Sequence, residues 1–220
     1  SGATKKFWLQ DPVEFYSVNF GYGSGCNTFT AKDGEDHDLV SGNTYVSGTE
    51  LTFTQTKKDG YTFVGWNTAA DGSGSSLGTG SSYTVASLSA DVNVYAIYTE
   101  NKTAITINTD GHGTITTPSQ NNSPYSLGVA TTQAINATAS DGYHWNTWTV
   151  SGTAALVSSA STQSNTVKGN GTDGGTGTVT ATFTPNTYTV QFHRNGGTGT
   201  PVSQNFTYDA AQNLTANTYT

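Results

Sequence analysis

Apolar and polar residues alternate with a period of two along most of the chain. Tyr16, Val18 and Phe20 are separated by Ser17 and Asn19, and Ile105 and Ile107 by Thr106. Leu51 and Phe53 alternate with Thr52 and Thr54, Ile135 and Ala137 with Asn136 and Thr138, and Val179, Ala181 and Phe183 with Thr180 and Thr182. Successive side chains of a strand point to opposite faces. The pattern therefore predicts strands with one face on a core and one in water, as antiparallel sheets allow. No stretch carries a helical period of useful length, and less than about 10% helix is expected. The piece from Ser87 to Val94 could hold a single turn. The glycine-rich stretches Asp71 to Ser82 and Lys168 to Gly177 read as loops.

The alternating segments recur. YSVNFGYGSG from Tyr16, AITINTDGHG from Ala104 and YTVQFHRNGG from Tyr188 are each a strand pattern closed by a glycine-rich turn. Aligning Val18, Ile105 and Val190 gives a repeat of about 85 residues. Two further landmarks follow in the same order. DGYTFVGWNT from Asp59 matches DGYHWNTWTV from Asp141, and VNVYAIYTEN from Val92 matches TVTATFTPN from Thr178. Three landmarks in one order identify a true repeat.

Composition narrows the picture. Only 10% of the 220 residues are charged and Thr is the commonest residue, which suits many short strands and turns. The 12 Tyr, 9 Phe and 4 Trp supply enough apolar area to argue against disorder. A net charge of −7 leaves no basic patch for nucleic acid or anionic lipid. Cys26 is the lone cysteine, so no internal disulfide can form. The sequence holds no apolar stretch long enough for a transmembrane helix, and membrane insertion of this segment is not expected.

DGYTFVGWNTAADGSG followed by YTVASLSADVNVYAIY resembles the Listeria–Bacteroides repeat, the internalin B-repeat family. The residues that carry the resemblance are Gly60, Tyr61, Phe63, Gly65, Trp66, Asn67 and Thr68, then Asp71 to Gly74, then Val94, Tyr95, Ala96 and Tyr98. The segment from Tyr188 resembles the first half of another copy. The middle segment departs from the pattern, with His144-Trp145-Asn146-Thr147-Trp148 in place of the aromatic–glycine–tryptophan core, and is similar to divergent members. The insertion Gly25 to Gly48 is long for the family, and the strand register there stays open. The resemblance implies a mainly β fold of small β-grasp-like, antiparallel modules in tandem, elongated overall. It divides the chain into an N-terminal linker (1–14), a first module (15–101), a divergent second module (102–186) and the first half of a third (187–220). The chain reads as a piece of something longer, and the half module as one that packs on the second or is completed elsewhere.

The family brings no catalytic residues, and no nucleophile, base or metal motif of a known enzyme class occurs in the chain. A non-enzymatic segment of a bacterial or archaeal surface protein is expected, secreted or bound to the cell wall. It would act as a stalk that projects an adhesive region, with neighbouring repeats as partners. The alternative is an adhesin module that binds a host protein or glycan through exposed loops. Asp33, Glu35, Asp36 and Asp38 form the densest group of metal-ligand types, beside His37. They could hold Ca²⁺, but the regular spacing of a calcium loop is missing, so a solvated loop and no cofactor is the preferred reading. Tyr45, Trp145 and Trp148 could stack on a sugar if exposed, although core filling is the plainer role for the tryptophans. Trp66 with Tyr61 and Trp148 with Tyr143 are expected inside.

Overall fold

The computed structural model describes residues 12–216. Most of the expected linker therefore lies outside the described residues. Contacts divide the chain into two units, with the break between Glu100 and Asn101.

The first unit holds strands β1 (Phe15–Tyr22), β2 (Cys26–Asp33), β3 (Asn43–Val46), β4 (Leu51–Lys57), β5 (Tyr61–Asn67), β6 (Ser76–Gly78), β7 (Ser82–Val85) and β8 (Val92–Glu100). The second holds β9 (Thr103–Thr109), β10 (Gly113–Thr117), β11 (Tyr125–Leu127), β12 (Thr132–Ala139), β13 (Tyr143–Gly152), β14 (Ala154–Leu156), β15 (Asn165–Gly169) and β16 (Thr176–Pro185). A hairpin of β17 (Thr187–Phe192) and β18 (Val202–Thr207) follows β16 and is grouped by its contacts with the second unit, outside that unit's eight-stranded body. Among the described residues there is no helix, and the protein is mainly β as its periodicity requires. The Ser87 segment forms bends and not a turn of helix. Its Leu88 is 1% exposed and plugs the core, held by backbone bonds to Thr49 and Gly48.

Each unit is two facing sheets. In the first, β3-β1-β8-β5-β6 covers β2-β4-β7; in the second, β11-β9-β16-β13 covers β10-β12-β15-β14. The first and last strands of each unit pair in parallel, Val18 with Val92 and Phe20 with Val94, Ile105 with Gly177 and Ile107 with Val179. Alternation reveals faces and not partners; most neighbouring strands are antiparallel as expected, and this pair is parallel. Parallel neighbours need a crossover, and the second sheet of each unit is threaded through it. The insertion after Gly25 is no excursion: it supplies β2 and β3. Both glycine-rich loops also contribute strand residues, β6 in the first and the flanks of β15 and β16 in the second.

The cores follow the alternating positions. Val18, Leu51, Phe53, Trp66, Leu88, Val94 and Ala96 meet between the sheets of the first unit. Ile105, Ile107, Ile135, Trp148, Val167, Val179, Ala181 and Phe183 do so in the second. Threonine takes the outer faces in cross-strand pairs, Thr28 with Thr56 at 2.6 Å, Thr52 with Thr84 at 3.3 Å, and Thr30 with Thr54. Such pairs stabilise a sheet while its β-branched side chains suit the pleat.

Candidate functional site

The recurring aromatic motif is a folding device in both units. Trp66 lies opposite Ala96, and Trp148 opposite Ala181. Each indole is at most 2% exposed, and each N–H reaches a loop carbonyl, Gly80 at 2.9 Å and Gln163 at 3.0 Å. A buried indole needs that acceptor, because an unpaired N–H in a core costs a full desolvation penalty. Phe63 meets Trp66 edge-on at 5.6 Å, and Trp145 meets Trp148 likewise at 5.2 Å. The two tryptophans are buried as expected. Tyr61 and Tyr143 are only half-buried, because they sit at the start of β5 and β13, where the sandwich opens.

Asn67, next to Trp66, explains the Asp71–Gly74 turn. It is buried, and its Nδ2 donates to the Gly72 and Gly74 carbonyls at 3.1 and 3.2 Å while its Oδ1 accepts from Ala69 N–H at 2.9 Å. A Cβ on Gly74 would stand 2.7 Å from that Oδ1, so only glycine lets the loop close over the amide. Asp71 caps Ser73 through its N–H and Oγ, and these bonds hold its carboxyl below the usual range. The turn is occupied by its own hydrogen bonds. In the second unit Asn165 does the same work from β15, donating to Ser159 O at 2.8 Å and accepting from Thr166 N–H at 2.8 Å.

The acidic loop is dispersed. Asp33 Oδ1 accepts from the N–H groups of Glu35 and His37, both at 2.9 Å, and its Oδ2 faces His37 Nδ1 at 3.1 Å. These bonds, the His37 N–H first, hold the Asp33 carboxyl below its ordinary range. Lys32 Nζ sits 3.2 Å from Asp36 and 3.5 Å from Asp38, which turns both toward a cation already present. Glu35 comes within 3.8 Å of His37 Nδ1, the same nitrogen that faces Asp33. Among the described residues no three His, Cys, Asp or Glu side chains form a ligand cluster.

A polar group missed in the sequence lies between β2, β4 and β8. The Tyr98 hydroxyl donates to Gln55 Oε1 at 2.8 Å, beside the buried Cys26, whose thiol is directed to Thr28 O at 3.1 Å. Burial, then the Cys26 thiol, push the Tyr98 phenol above the ordinary range. Gln55 gave no signal, because it stands at an apolar-phase position in a polar run.

The expected sugar platforms are engaged elsewhere. Trp148 is buried, Trp145 donates to Ser161 O at 2.9 Å, and the Tyr45 hydroxyl accepts from Val40 N–H at 2.6 Å. The exposed aromatics are others, with Tyr22 61% and Phe15 58% exposed.

A family model described as the Listeria-Bacteroides repeat domain matches residues 28–97 and 188–220, and one described as the divergent InlB B-repeat domain matches 103–187. No curated protein and no solved structure matches the chain.

Proposed function

Because the chain belongs to the Listeria-Bacteroides repeat and divergent InlB B-repeat families, we propose that it is a spacer segment of a surface protein, holding an adhesive region away from the cell wall. These families are typical of bacterial surface proteins, and their repeats are structural modules without catalytic residues of their own. The observation that carries the reading is repetition of one strand order with a separate core in each unit. A spacer grows by adding such self-contained modules. The buried polar side chains fit the same purpose, since Gln55, Asn67 and Asn165 are spent on fixing their own strands and loops. Neighbouring repeats are the partners this role requires. The Asp33–Asp38 loop serves as a solvated turn closed by Lys32 and His37, and not as a Ca²⁺ site.

The test displays the chain on a cell surface with a reporter epitope at its far end. A spacer brings the epitope into reach of a bulky antibody, reaches further when two copies are joined, and itself captures no host protein or glycan. Binding by the displayed chain, lost when Tyr22 or Phe15 is replaced by Ser, would instead establish the adhesin reading.

A further inference from the structure

The hairpin β17–β18 fully buries none of its side chains. Tyr188 and Val190 are 51% and 42% exposed, and Phe192, Val202 and Phe206 are half-buried. A lone two-stranded hairpin is at best marginally stable in water. The chain beyond it contributes bonds from Gln204 to Asn213 and Thr215, and the rest of its support is a compact group at one end of the second unit's eight-stranded body.

Asn186 lies between β16 and β17 and bonds to both sides. Its N–H donates to the Gly142 carbonyl at 2.8 Å, and its own carbonyl accepts from Tyr208 N–H at 2.9 Å. Its Oδ1 meets His144 Nδ1 at 2.7 Å. The Tyr143 hydroxyl donates to Asp209 Oδ2 at 2.9 Å. Two rings touch the Tyr143 ring, with the His112 imidazole stacked at 4.2 Å and Tyr208 edge-on at 5.5 Å. The Tyr208 ring lies so close to Gly142 that a Cβ there would be 2.5 Å from it. Asp209 adopts φ 59°, a left-handed conformation uncommon outside glycine, at the residue whose carboxylate meets Tyr143.

We infer that His112, Gly142, Tyr143 and Asn186 form a docking socket for the repeat that follows the second unit, and that its occupant is that repeat's Tyr208–Asp209 turn. The residues matched as a further Listeria-Bacteroides repeat contain this turn. The socket is particular to the second unit. His112 O accepts from Ser140 N–H as Gly25 O does from Lys58 N–H, so Gly25 holds the corresponding place in the first unit. There a Cβ would be 2.8 Å from the Tyr61 ring, so no side chain can form the shelf that the His112 ring provides. The inference deepens the spacer reading and rests on it only for purpose: a spacer keeps its direction where one repeat is fixed to the next.

Burial, then the bond to Asp209, holds the Tyr143 hydroxyl above the ordinary tyrosine range. Its contribution is therefore complete below pH about 10 and is lost as pH climbs through the raised value.

The experiment is hydrogen exchange on the whole chain at neutral pH, comparing the native protein with Tyr208→Ala, Tyr208→Phe and Val190→Ala. Tyr208→Ala should speed exchange of the β17 and β18 amides by about tenfold or more while β13 and β16 keep their protection. Tyr208→Phe keeps the ring and should stay near native, and Val190→Ala tests loss of an exposed hairpin side chain away from the socket. Unchanged hairpin protection in Tyr208→Ala would overturn the inference. So would an equal loss in Val190→Ala, or a loss spread over β13 and β16. Exchange reads the joint without any display assay, so the spacer reading and the socket can fail separately.

Discussion

The two units share a strand order and differ in where one short strand goes. In the first, β6 pairs with β5 and widens the larger sheet; in the second, β14 pairs with β15 and widens the smaller one. A single residue records that choice. Both β5 and β13 carry a bulge at the same place, after Phe63 and after Trp145, and the next paired residues are Gly65 and Thr147. Gly65 has φ 151°, and a Cβ on it would stand 2.7 Å from Gly78 O at the end of β6. Where that neighbour is absent, threonine fits. The glycine before Trp66 is thus a consequence of the sixth strand's address, and its loss in the second unit marks a rerouted loop and not a different fold.

A second difference lies at the open end of the core. Tyr98, paired opposite Phe63, packs on it at 5.4 Å and adds a hydroxyl bond to Gln55, whereas Phe183, paired opposite Trp145, packs on it at 5.8 Å and has no hydroxyl to place. Phe183 rests on Gly113, where a Cβ would be 2.3 Å from the ring. One unit closes its core with a satisfied polar pair and the other with an apolar contact. Either solution is stable, because removing both partners of a hydrogen bond together can be nearly neutral.

Both cores depend most heavily on their buried tryptophans. Trp66→Ala and Trp148→Ala should each cost about 3–5 kcal/mol, enough to unfold the unit concerned. Thermal unfolding monitored by tyrosine and tryptophan fluorescence checks this, and near-native stability in either variant would remove the shared core. Gly65→Thr and Thr147→Gly come next and should be unequal. The first forces a side chain into β6 from a strained backbone and should cost about 1–3 kcal/mol or more. The second merely loosens a strand, by roughly 0.5–1 kcal/mol. Equal costs would mean that the strand's address does not decide the residue. Tyr98→Phe should cost about 1–3 kcal/mol by stranding Gln55, and a denaturation cycle with Gln55→Ala should show the two changes to be less than additive. Smallest of all, chelation by EDTA and addition of Ca²⁺ should each move stability by less than about 1 kcal/mol. A melting temperature that falls with EDTA and returns with Ca²⁺ would make the Asp33–Asp38 loop a cation site.

Much of this fold could be read from residues. Period-two alternation named the strands whose apolar face fills each core, and the shared tryptophan landmark named Trp66 and Trp148 as buried. What alternation cannot carry is partner choice. Neither the parallel pairing of β1 with β8 nor the move of the sixth strand has a local sequence cost that would betray it. Tyr61 and Tyr143 were placed too deep because hydrophobic size says nothing about distance from the sandwich's end. Gln55 and Asn165 were hidden for the opposite reason, since polar residues signal burial only through partners far away in the chain. The acidic loop drew attention by residue type, yet its carboxylates face the backbone, Lys32 and His37.

Despite its divergent motif, the second unit repeats the first unit's strand order apart from its sixth strand. Cross-strand nuclear Overhauser contacts in the whole chain test it most directly. A parallel pattern is expected between β9 and β16, with Ile105 beside Gly177 and Ile107 beside Val179, matching Val18 beside Val92 and Phe20 beside Val94. An antiparallel pattern between β9 and β16, or no contact between them, would contradict it.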